Sequence, residues 1–412
     1  MPANDQNTAA DRPDQAGRDA GAYVSAHTDK YFSKSRAIVE KFGDQHVTYG
    51  VFLRRSVICA INPALEVLQR CYPAAAAMPL EVQRLFAEGE LVPDQQPLFS
   101  YSGSFAALVE LETLMLQKVG VACVAAFNAW KMATSLDQAA FIDMHARHSS
   151  GDDFSLLAAY GASVGSRVAQ QAGATGFVGS SQDLTAPFYG GTLGIGTMPH
   201  AIIGYAGSTL RAAQMYVDTH PEDNLTVLID FFGREYADAI EVCRWWYARE
   251  ESRGKTLSLR IDTHGERYAE GLDYDKSVAV VTAWLRVANE FEAVRQVMGE
   301  DAFDADSLNI AKDRVRKLLF GTGVSLAAVI RLRLSLNAAG FQACRIVASS
   351  GFNLFKCRMF AGARAPVDVI GTGSFIPENL SETFATADIF RYGDAFRIKL
   401  GRERIFAGLP PR

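Results

Sequence analysis

Residues able to bind a phosphorylated ligand are concentrated behind two short apolar runs of this sequence. Ser-Ser-Gly follows the run at 341–348, and Gly-Thr-Gly-Ser follows the run at 366–370. Glycine allows successive backbone N–H groups to converge on an anion, and a serine hydroxyl adds a further donor. Each segment alone could be a simple turn, but two such segments at neighbouring strand ends favour phosphate binding. The candidate phosphate-binding residues are Ser349, Ser350, Gly351, Gly371, Gly373 and Ser374.

A second group of polar residues lies in the segment RIDTHG, which begins at Arg260. Side chains alternate along a strand, so Arg260 and Asp262 point to the same side of it. If that side lines a ligand site, the pair contacts the ligand; otherwise it is a structural ion pair. Asp230 ends the apolar run NLTVLID and Thr263 follows Asp262, so both are further strand-end candidates. Carboxylates beside phosphate-binding loops indicate chemistry on a phosphorylated substrate.

The segment GTMPH places His200 directly after Pro199, a residue type that is favoured at the start of a helix. A lone histidine at such a position is commonly a cap or a packing group. A neutral imidazole is also a nucleophile near pH 7, and it could accept a phosphoryl group from ATP. The residue types alone leave both interpretations open.

Alternating strands and helices are needed to bring these residues together. Four strand-like runs between 224 and 370 are separated by helical patterns, which predicts a parallel sheet and, over this length, an α/β barrel. The carboxyl ends of barrel strands form the active-site face, so the candidates should share one rim. Apolar residues at helical spacing predict a long helix within 105–133, in a separate N-terminal module.

Composition excludes several functional classes. Apolar residues make up 49% and charged residues 21% of the 412 residues, which is typical of a soluble enzyme and not of a low-complexity chain. The net charge of −5 argues against a nucleic-acid partner, which would favour a strongly basic face. The six cysteines form no CxxC pair, so no metal site is predicted.

Neither the hydropathy along the chain nor the N-terminal segment indicates a membrane protein. No apolar run reaches the roughly 20 residues that span a bilayer. The first 20 or so residues carry almost no large apolar side chain, which predicts a disordered tail over 1–25. We expect a cytoplasmic protein without a membrane partner.

Taken in order, these segments resemble the nicotinate phosphoribosyltransferase family. The likeness begins with TDKYFSKS at 28–35, continues with FIDMHARHSSG at 141–151 and GTMPHAII at 196–203, and includes RIDTHGERYAEGLD at 260–273. It is completed by SSGFNLFKCRMF, APVDVIGTGSF and TADIF, and it covers roughly residues 26–390. The order of the motifs makes the resemblance far more specific than any one of them.

The resemblance implies a type II phosphoribosyltransferase, an α/β protein with an irregular, TIM-like α/β barrel and an N-terminal α/β sandwich domain. The sandwich would comprise residues 26–135, completed by 376–412, and the barrel would comprise residues 136–375. The implied substrates are nicotinate, phosphoribosyl pyrophosphate and ATP, with Mg²⁺ as the cofactor. The products are nicotinate mononucleotide and pyrophosphate, in NAD salvage. The resemblance also implies a homodimer whose subunits share the active sites.

Individual residues take implied roles from the same resemblance. His200 matches the histidine that is phosphorylated from ATP, and Tyr31 matches the aromatic residue that stacks on the pyridine ring from the partner subunit. Arg147 matches the first arginine of a basic segment. The two Gly/Ser segments match the cradle of the 5′-phosphate. Contacts to ribose and pyrophosphate are matched by Asp230, Arg260 and Asp262.

Two departures from the family pattern bear on specificity. His148 stands where many members carry a second arginine, and His145 stands where a glycine is common. A nicotinate enzyme requires a cation at the ring substituent and a nicotinamide enzyme a carboxylate, so Arg147 favours nicotinate. Nicotinamide or quinolinate phosphoribosyltransferase activity remains an alternative, as does a catalytically silent relative that binds phosphoribosyl ligands. The simultaneous presence of His200, Asp230, Arg260 and Asp262 argues against the silent relative.

Overall fold

The computed structural model describes residues 20–299, 308–407 and Leu409 of the chain. It has two compact units: one includes the chain up to Cys123 and again from Asn379, and the other is Val124–Glu378. Residues 1–19 of the predicted tail lie outside the described residues. Its last residues, 20–25, belong to the first helix, where Val24 is buried.

Fifteen α-helices and thirteen β-strands form the described part of the chain. The helices are α1 (Ala20–His27), α2 (Lys30–Phe42), α3 (Asn62–Cys71), α4 (Phe105–Leu108), α5 (Glu112–Ser135), α6 (Asp152–Gln171), α7 (His200–Ala206), α8 (Thr209–Thr219), α9 (Glu235–Tyr247), α10 (Tyr274–Leu285), α11 (Glu290–Met298), α12 (Leu308–Phe320), α13 (Leu326–Ala338), α14 (Leu354–Gly362) and α15 (Glu403–Phe406). The strands are β1 (His46–Phe52), β2 (Val57–Ile58), β3 (Glu81–Arg84), β4 (Leu91–Val92), β5 (Pro97–Ser104), β6 (Ala140–Asp143), β7 (Gly176–Ser180), β8 (Leu225–Leu228), β9 (Leu257–Ile261), β10 (Arg345–Ala348), β11 (Val369–Thr372), β12 (Thr386–Tyr392) and β13 (Ala395–Phe396). None of these described helices is both long and apolar enough to cross a bilayer.

A five-stranded antiparallel sheet with the strand order β13-β12-β1-β5-β3 forms the frame of the first unit. Tyr49 of the central strand β1 is paired with Tyr101 of β5, and their rings are stacked with centroids 4.8 Å apart. Both side chains are buried, so this cross-strand pair stabilises the register of the two strands. Strands β2 and β4 form a separate two-stranded sheet.

The second unit contains a six-stranded sheet with the order β7-β6-β11-β10-β9-β8, in which all neighbouring strands are parallel. Helices alternate with these strands along the chain, which confirms the predicted α/β class and the parallel sheet. Strands β7 and β8 stand at the two ends of the strand order. Closure into a barrel stays a prediction.

Strands β8 to β11 correspond to the four strand-like runs of the sequence. The last of them extends two residues beyond the predicted end, because Gly371 and Thr372 pair with Ile142 and Asp143 of β6. Strand β6 had no counterpart among the four predicted strands, so its ladder with β11 was not anticipated. Gly371 is therefore paired within the sheet, although it also begins the second Gly/Ser loop at 371–374.

Polar residues and glycine follow the strands of the parallel sheet at one edge. Parallel strands present their carboxyl ends together, and ligands bind at that edge in open α/β sheets. The residues at or just beyond the six strand ends are Asp143, Ser180, Asp230, Asp262, Ser349 and Gly373. The fold thus brings the strand-end candidates to one edge, as the alternation of elements predicted.

Candidate active site

A cavity of about 590 Å³ lies at the carboxyl edge of the parallel sheet, within the second unit. Its size is within the roughly 300–1,000 Å³ that is usual for small-molecule sites. Among its lining residues are nine of the candidates: Arg147, Arg260, Asp262, Ser349, Ser350, Gly351, Gly371, Gly373 and Ser374. A larger cavity of about 1000 Å³ among the helices of the same unit has no carboxylate or hydroxyl in its lining. The chemistry of the lining, and not its size, therefore identifies the candidate active site.

Arg260 connects three segments of the site through its guanidinium group. Its Nε donates to Ser349 Oγ at 2.9 Å, its Nη1 to Thr197 Oγ1 at 3.1 Å and its Nη2 to Asp262 Oδ2 at 2.7 Å. The planar group is thereby fixed in orientation before any ligand arrives. Arg260 and Asp262 form the ion pair that the structural interpretation required. The pair also lies in the wall of the cavity, as the ligand-binding interpretation required.

The loop at 349–351 turns sharply after β10. Ser350 and Gly351 both have left-handed backbone conformations, with φ of 74° and 67°. A side chain is unfavourable in this region, so Ser350 requires support from its surroundings. That support includes Lys356 of α14, whose ammonium donates to the Ser350 carbonyl at 2.9 Å. Asn353 caps the same helix by accepting from the backbone N–H of Lys356 at 3.0 Å.

The glycines of the second loop allow the end of β11 to approach the segment behind β6. A Cβ atom on Gly373 would lie 2.6 Å from the Cα of His145, and one on Gly371 would lie 2.6 Å from the sulfur of Met144. Neither distance is tolerated by packed atoms. Thr372 lies between them and joins the two loops, because its Oγ1 donates to the Phe352 carbonyl at 2.7 Å and accepts from the N–H of Ser374 at 3.0 Å.

Arg147 and His148 lie in a short turn that a buried network holds in place. His145 is fully buried, and its Nδ1 lies 2.5 Å from Asp143 Oδ1. Its Nε2 lies 3.1 Å from the carbonyl oxygen of Ser155 and 3.2 Å from Ser155 Oγ, so both ring nitrogens have partners. The histidine that departs from the family pattern is therefore a structural residue. It anchors the turn from which Arg147 and His148 reach the cavity wall.

A helix begins at the GTMPH segment as predicted, but its first residue is His200, and Pro199 is the extended residue directly before it. The Nε2 of His200 lies 3.1 Å from Asp230 Oδ2, and the histidine side chain is 46% exposed whereas that of Asp230 is 6% exposed. Burial raises the pKa of Asp230, although the hydrogen bond from His200 acts in the opposite direction. The other carboxylate oxygen, Oδ1, has no hydrogen-bond partner among the described residues. With Nε2–H directed at Asp230, Nδ1 of a neutral ring carries the lone pair that is available for nucleophilic attack.

Thr263 is fully buried and does not line the cavity. Its hydroxyl donates to Glu235 Oε1 at 2.9 Å, and Arg267 Nη2 lies 2.7 Å from the same oxygen. Arg267 also donates to the backbone carbonyl of Asp230 at 2.6 Å. Thr263 thus takes part in a buried network that fixes Asp230, and its direct contact with substrate stays a prediction.

Tyr31 lies in the other unit, on α2, where it is 60% exposed. Its hydroxyl lies 3.5 Å from Asp29 Oδ2. The stacking of Tyr31 on a pyridine ring of the partner subunit's site stays a prediction.

Sequence reasoning missed the residues that position the site. Lys356, Thr197, Glu235 and Asp143 were not among the candidates, although each is bonded to a candidate or to its segment. The run LFKCRMF contains both Lys356 and Arg358, so the sequence did not single out Lys356 as a buried cation. The contacts of Thr197 with Arg260 and of Glu235 with Thr263 join residues that are distant in sequence.

Comparison of sequences gave no matching family model and no matching curated protein. Solved structures do match. A nicotinate-nucleotide pyrophosphorylase from Pyrococcus furiosus is 19% identical, with a TM-score of 0.61 over 92% of this chain and 79% of that chain. Human nicotinic acid phosphoribosyltransferase is 15% identical, with a TM-score of 0.56 over 91% of this chain and 76% of that chain. A nicotinate-nucleotide pyrophosphorylase from Ehrlichia chaffeensis is 12% identical, with a TM-score of 0.54 over 90% of this chain and 97% of that chain. The chain therefore has the fold of these enzymes, as the resemblance of its motifs predicted.

Proposed function

We propose that this chain is a phosphoribosyltransferase of NAD biosynthesis, which transfers the phosphoribosyl group of phosphoribosyl pyrophosphate to a pyridine. The observation that carries the proposal is the convergence of both Gly/Ser loops, Arg147 and the Arg260–Asp262 pair on one cavity. The likeness in fold to solved enzymes named for nicotinic acid and nicotinate nucleotide supports it. The proposal includes an irregular barrel. Its strands would follow the order of the observed sheet, from β8 through β11 to β6 and β7.

In this proposal the loops at 349–351 and 371–374 bind the 5′-phosphate of the substrate. Their glycines bring backbone N–H groups to the cavity wall, and Ser350 and Ser374 add hydroxyl donors. Arg260 and Asp262 lie beside the first loop and are assigned to the ribose and the pyrophosphate. Because Arg260 is already bonded to Ser349 and Thr197, little reorganisation is needed when the substrate binds.

The transfer breaks the bond between C1 of the ribose and a pyrophosphate oxygen, and the electron pair leaves with that oxygen. The pyridine nitrogen donates its lone pair to C1, and no proton has to move. Positive charge develops on the ribose in the transition state, and the carboxylates of Asp262 and Asp230 stabilise it.

Mg²⁺ supplies charge neutralisation for the departing pyrophosphate. Within the described ranges, no group of three or more His, Cys, Asp or Glu residues is arranged to hold a metal ion. Mg²⁺ is usually held by one or two carboxylates together with substrate phosphates, which does not require such a cluster. We propose that the ion enters together with phosphoribosyl pyrophosphate, as part of the substrate.

Nicotinate and ATP are the proposed second and third substrates. Arg147 in the cavity wall supplies a cation for the nicotinate carboxylate. His200, oriented by Asp230 through Nε2, attacks the γ-phosphorus of ATP with Nδ1, and ADP leaves with the bridging oxygen. Water later accepts the phosphoryl group, which couples ATP hydrolysis to transfer. A homodimer is also proposed, in which the exposed ring of Tyr31 stacks on the pyridine of the partner subunit's site.

Quinolinate is the second candidate substrate. His148 lines the cavity beside Arg147, and an imidazole N–H donor together with the arginine would suit a pyridine that carries two carboxylates. This observation favours a quinolinate enzyme over a nicotinamide enzyme, which has no carboxylate to bind.

The proposal is tested by incubating the purified protein with phosphoribosyl pyrophosphate and Mg²⁺, with or without ATP, and with nicotinate, nicotinamide or quinolinate in separate reactions. Mass spectrometry identifies any mononucleotide. We expect product from nicotinate, increased by ATP. Product from quinolinate alone would support the second candidate, and binding of phosphoribosyl pyrophosphate without any product would contradict enzymatic function. The variant Arg147→Met should lower kcat/KM for nicotinate by roughly tenfold to a hundredfold, because a charged hydrogen bond is lost.

A further inference from the structure

Lys356 is a buried cation directly behind the loop at 349–351. The residue is 6% exposed. Its ammonium lies 4.1 Å from the centroid of the Phe352 ring and 5.6 Å from that of Phe360. Its hydrogen bond to an oxygen goes to the carbonyl of Ser350, at 2.9 Å. Among the ion pairs of the described residues, none includes Lys356.

This environment favours the uncharged amine. Burial lowers the pKa of Lys356 to about 7, while the electrostatic effects of Cys357 and Asp262 act in the opposite direction. The Cys357 thiol stays neutral because burial raises its pKa to about 12. Of the helices packed on α14, α12 directs Arg314 at the ring of Phe355 and α11 places Val297 against Gly362. Asp262 is the carboxylate whose charge acts on the pKa of Lys356.

The bond to Ser350 determines where the loop directs its donors. A trans peptide is planar, so the carbonyl of Ser350 and the N–H of Gly351 point in opposite directions. With the carbonyl held by the buried ammonium, that N–H points away from Lys356, on the side where Gly351 lines the cavity. The left-handed backbone conformations of Ser350 and Gly351 accompany this orientation of the peptide between them.

We propose that Lys356 is a positioning residue for phosphate binding: its Nζ donates to the Ser350 carbonyl in either protonation state and so presents the Gly351 N–H to the phosphate, and binding of the phosphate draws a proton onto the lysine. The inference rests on the proposed function only in that the cavity takes a phosphate ester. No bond to substrate forms or breaks at Lys356, and the proton comes from solvent.

The direction of the pH dependence follows from the two states of the site. In the empty site the amine loses its proton near neutral pH, and a dianionic phosphate nearby stabilises the ammonium, so the pKa of Lys356 rises on binding. Between the two pKa values binding takes up a proton, and affinity falls by up to about tenfold for each pH unit. Above about pH 7 a phosphate monoester is already dianionic, so its own titration adds little there.

The test measures binding of ribose 5-phosphate by calorimetry between about pH 7 and pH 9, in two buffers of different ionisation enthalpy, which gives the number of protons taken up. The wild-type protein should take up close to one proton near pH 8. Lys356→Met keeps the length of the side chain and should abolish the uptake, with binding weakened roughly tenfold to a hundredfold. Lys276→Met, at a 64% exposed lysine side chain of α10, is the matched control and should behave as wild type.

A second variant separates Lys356 from the histidine in the cavity wall. His148→Gln should retain the proton uptake near pH 8, and this measurement stays decisive if Lys356→Met does not fold. Uptake that persists in Lys356→Met, disappears in His148→Gln or is absent from the wild type would overturn the inference. Binding without uptake would refute the role of Lys356 alone, whereas no binding of ribose 5-phosphate to the wild type would also refute the phosphate site of the proposed function.

Discussion

Arg260 donates through Nη1 to Oγ1 of Thr197 at 3.1 Å, so the strand that carries the Arg260–Asp262 pair is bonded to the segment that leads into His200. Thr197 is three residues before His200 and Arg260 contributes to the cavity wall. This single hydrogen bond connects the proposed site of phosphorylation with the proposed site of transfer.

The variant Thr197→Val should weaken the coupling between these two sites. Valine has the shape of threonine but cannot accept from Arg260. We expect the stimulation of transfer by ATP to fall about tenfold, since a hydrogen bond to a charged group is lost. Initial rates with and without ATP measure this ratio. Thr197→Ser keeps the hydroxyl and should retain the coupling; equal stimulation in Thr197→Val would rule out this connection.

Replacement of His200 by Ala should abolish ATP hydrolysis and leave slow, uncoupled transfer. The imidazole is the proposed phosphoryl acceptor, so the rate of ADP formation should fall by a factor of about 10³ or more. Radiolabelled ATP provides a direct readout, because acid-labile label should be found on the wild-type protein and not on His200→Ala. His220→Ala, at an exposed histidine just after α8, is the control. Undiminished ATP hydrolysis in His200→Ala would remove this residue from the mechanism.

The two glycines of the second loop should differ in their tolerance of alanine. A Cβ on Gly373 would meet the backbone of His145, which cannot move alone, whereas a Cβ on Gly371 would meet the flexible end of Met144. We expect Gly373→Ala to lower the free energy of unfolding by about 1–3 kcal/mol and to weaken binding of ribose 5-phosphate, and Gly371→Ala to do less. Urea unfolding and calorimetry measure the two effects. Equal behaviour of the two variants would contradict the distinction.

Glu112 should make the first unit less stable as pH rises. Burial, together with Asp388 and Asp29, raises the pKa of its carboxyl to about 7, above the value expected in the unfolded chain. The stabilising contribution is therefore complete below about pH 4.5 and is lost as pH rises through about 7. Glu112→Gln should raise the free energy of unfolding by roughly 1–2 kcal/mol above pH 7 and have no such effect near pH 4.5.

Urea unfolding at the two pH values measures this difference. Glu66→Gln, at an exposed position of α3, is the control and should change stability at neither pH. A Glu112→Gln variant whose stability keeps the pH dependence of the wild type would show that other groups cause it.

The strands and the strand-end residues of the site were predictable because local patterns encode them. β8 to β11 are short apolar runs followed by polar residues, and their parallel arrangement follows from the helices between them. That is why Arg260, Asp262 and both loops were correctly expected at one edge, and why nine candidates line one cavity. The end of β11 was predicted too early because its pairing with β6 depends on a strand more than 200 residues earlier in the chain.

The supporting contacts were not predictable, because they join residues that no local pattern relates. Thr372 reaches Phe352 and Arg260 reaches Thr197 only after the sheet has formed. His145 was noted as a departure, but its burial against Asp143 depends on the packing behind β6. Thr263 was a candidate because it follows a strand end, yet its hydroxyl donates to the buried carboxylate of Glu235.

Thr372 couples the two Gly/Ser loops to each other through its hydroxyl. One hydroxyl bonds both to the carbonyl of Phe352 and to the N–H of Ser374, so a large movement of either loop away from the other would break a hydrogen bond. In the proposed function, a phosphate would meet donors that are already ordered, and their ordering would add little cost to binding. Slow release of the nucleotide product would be the counterpart of this rigidity, since it requires both loops to yield together.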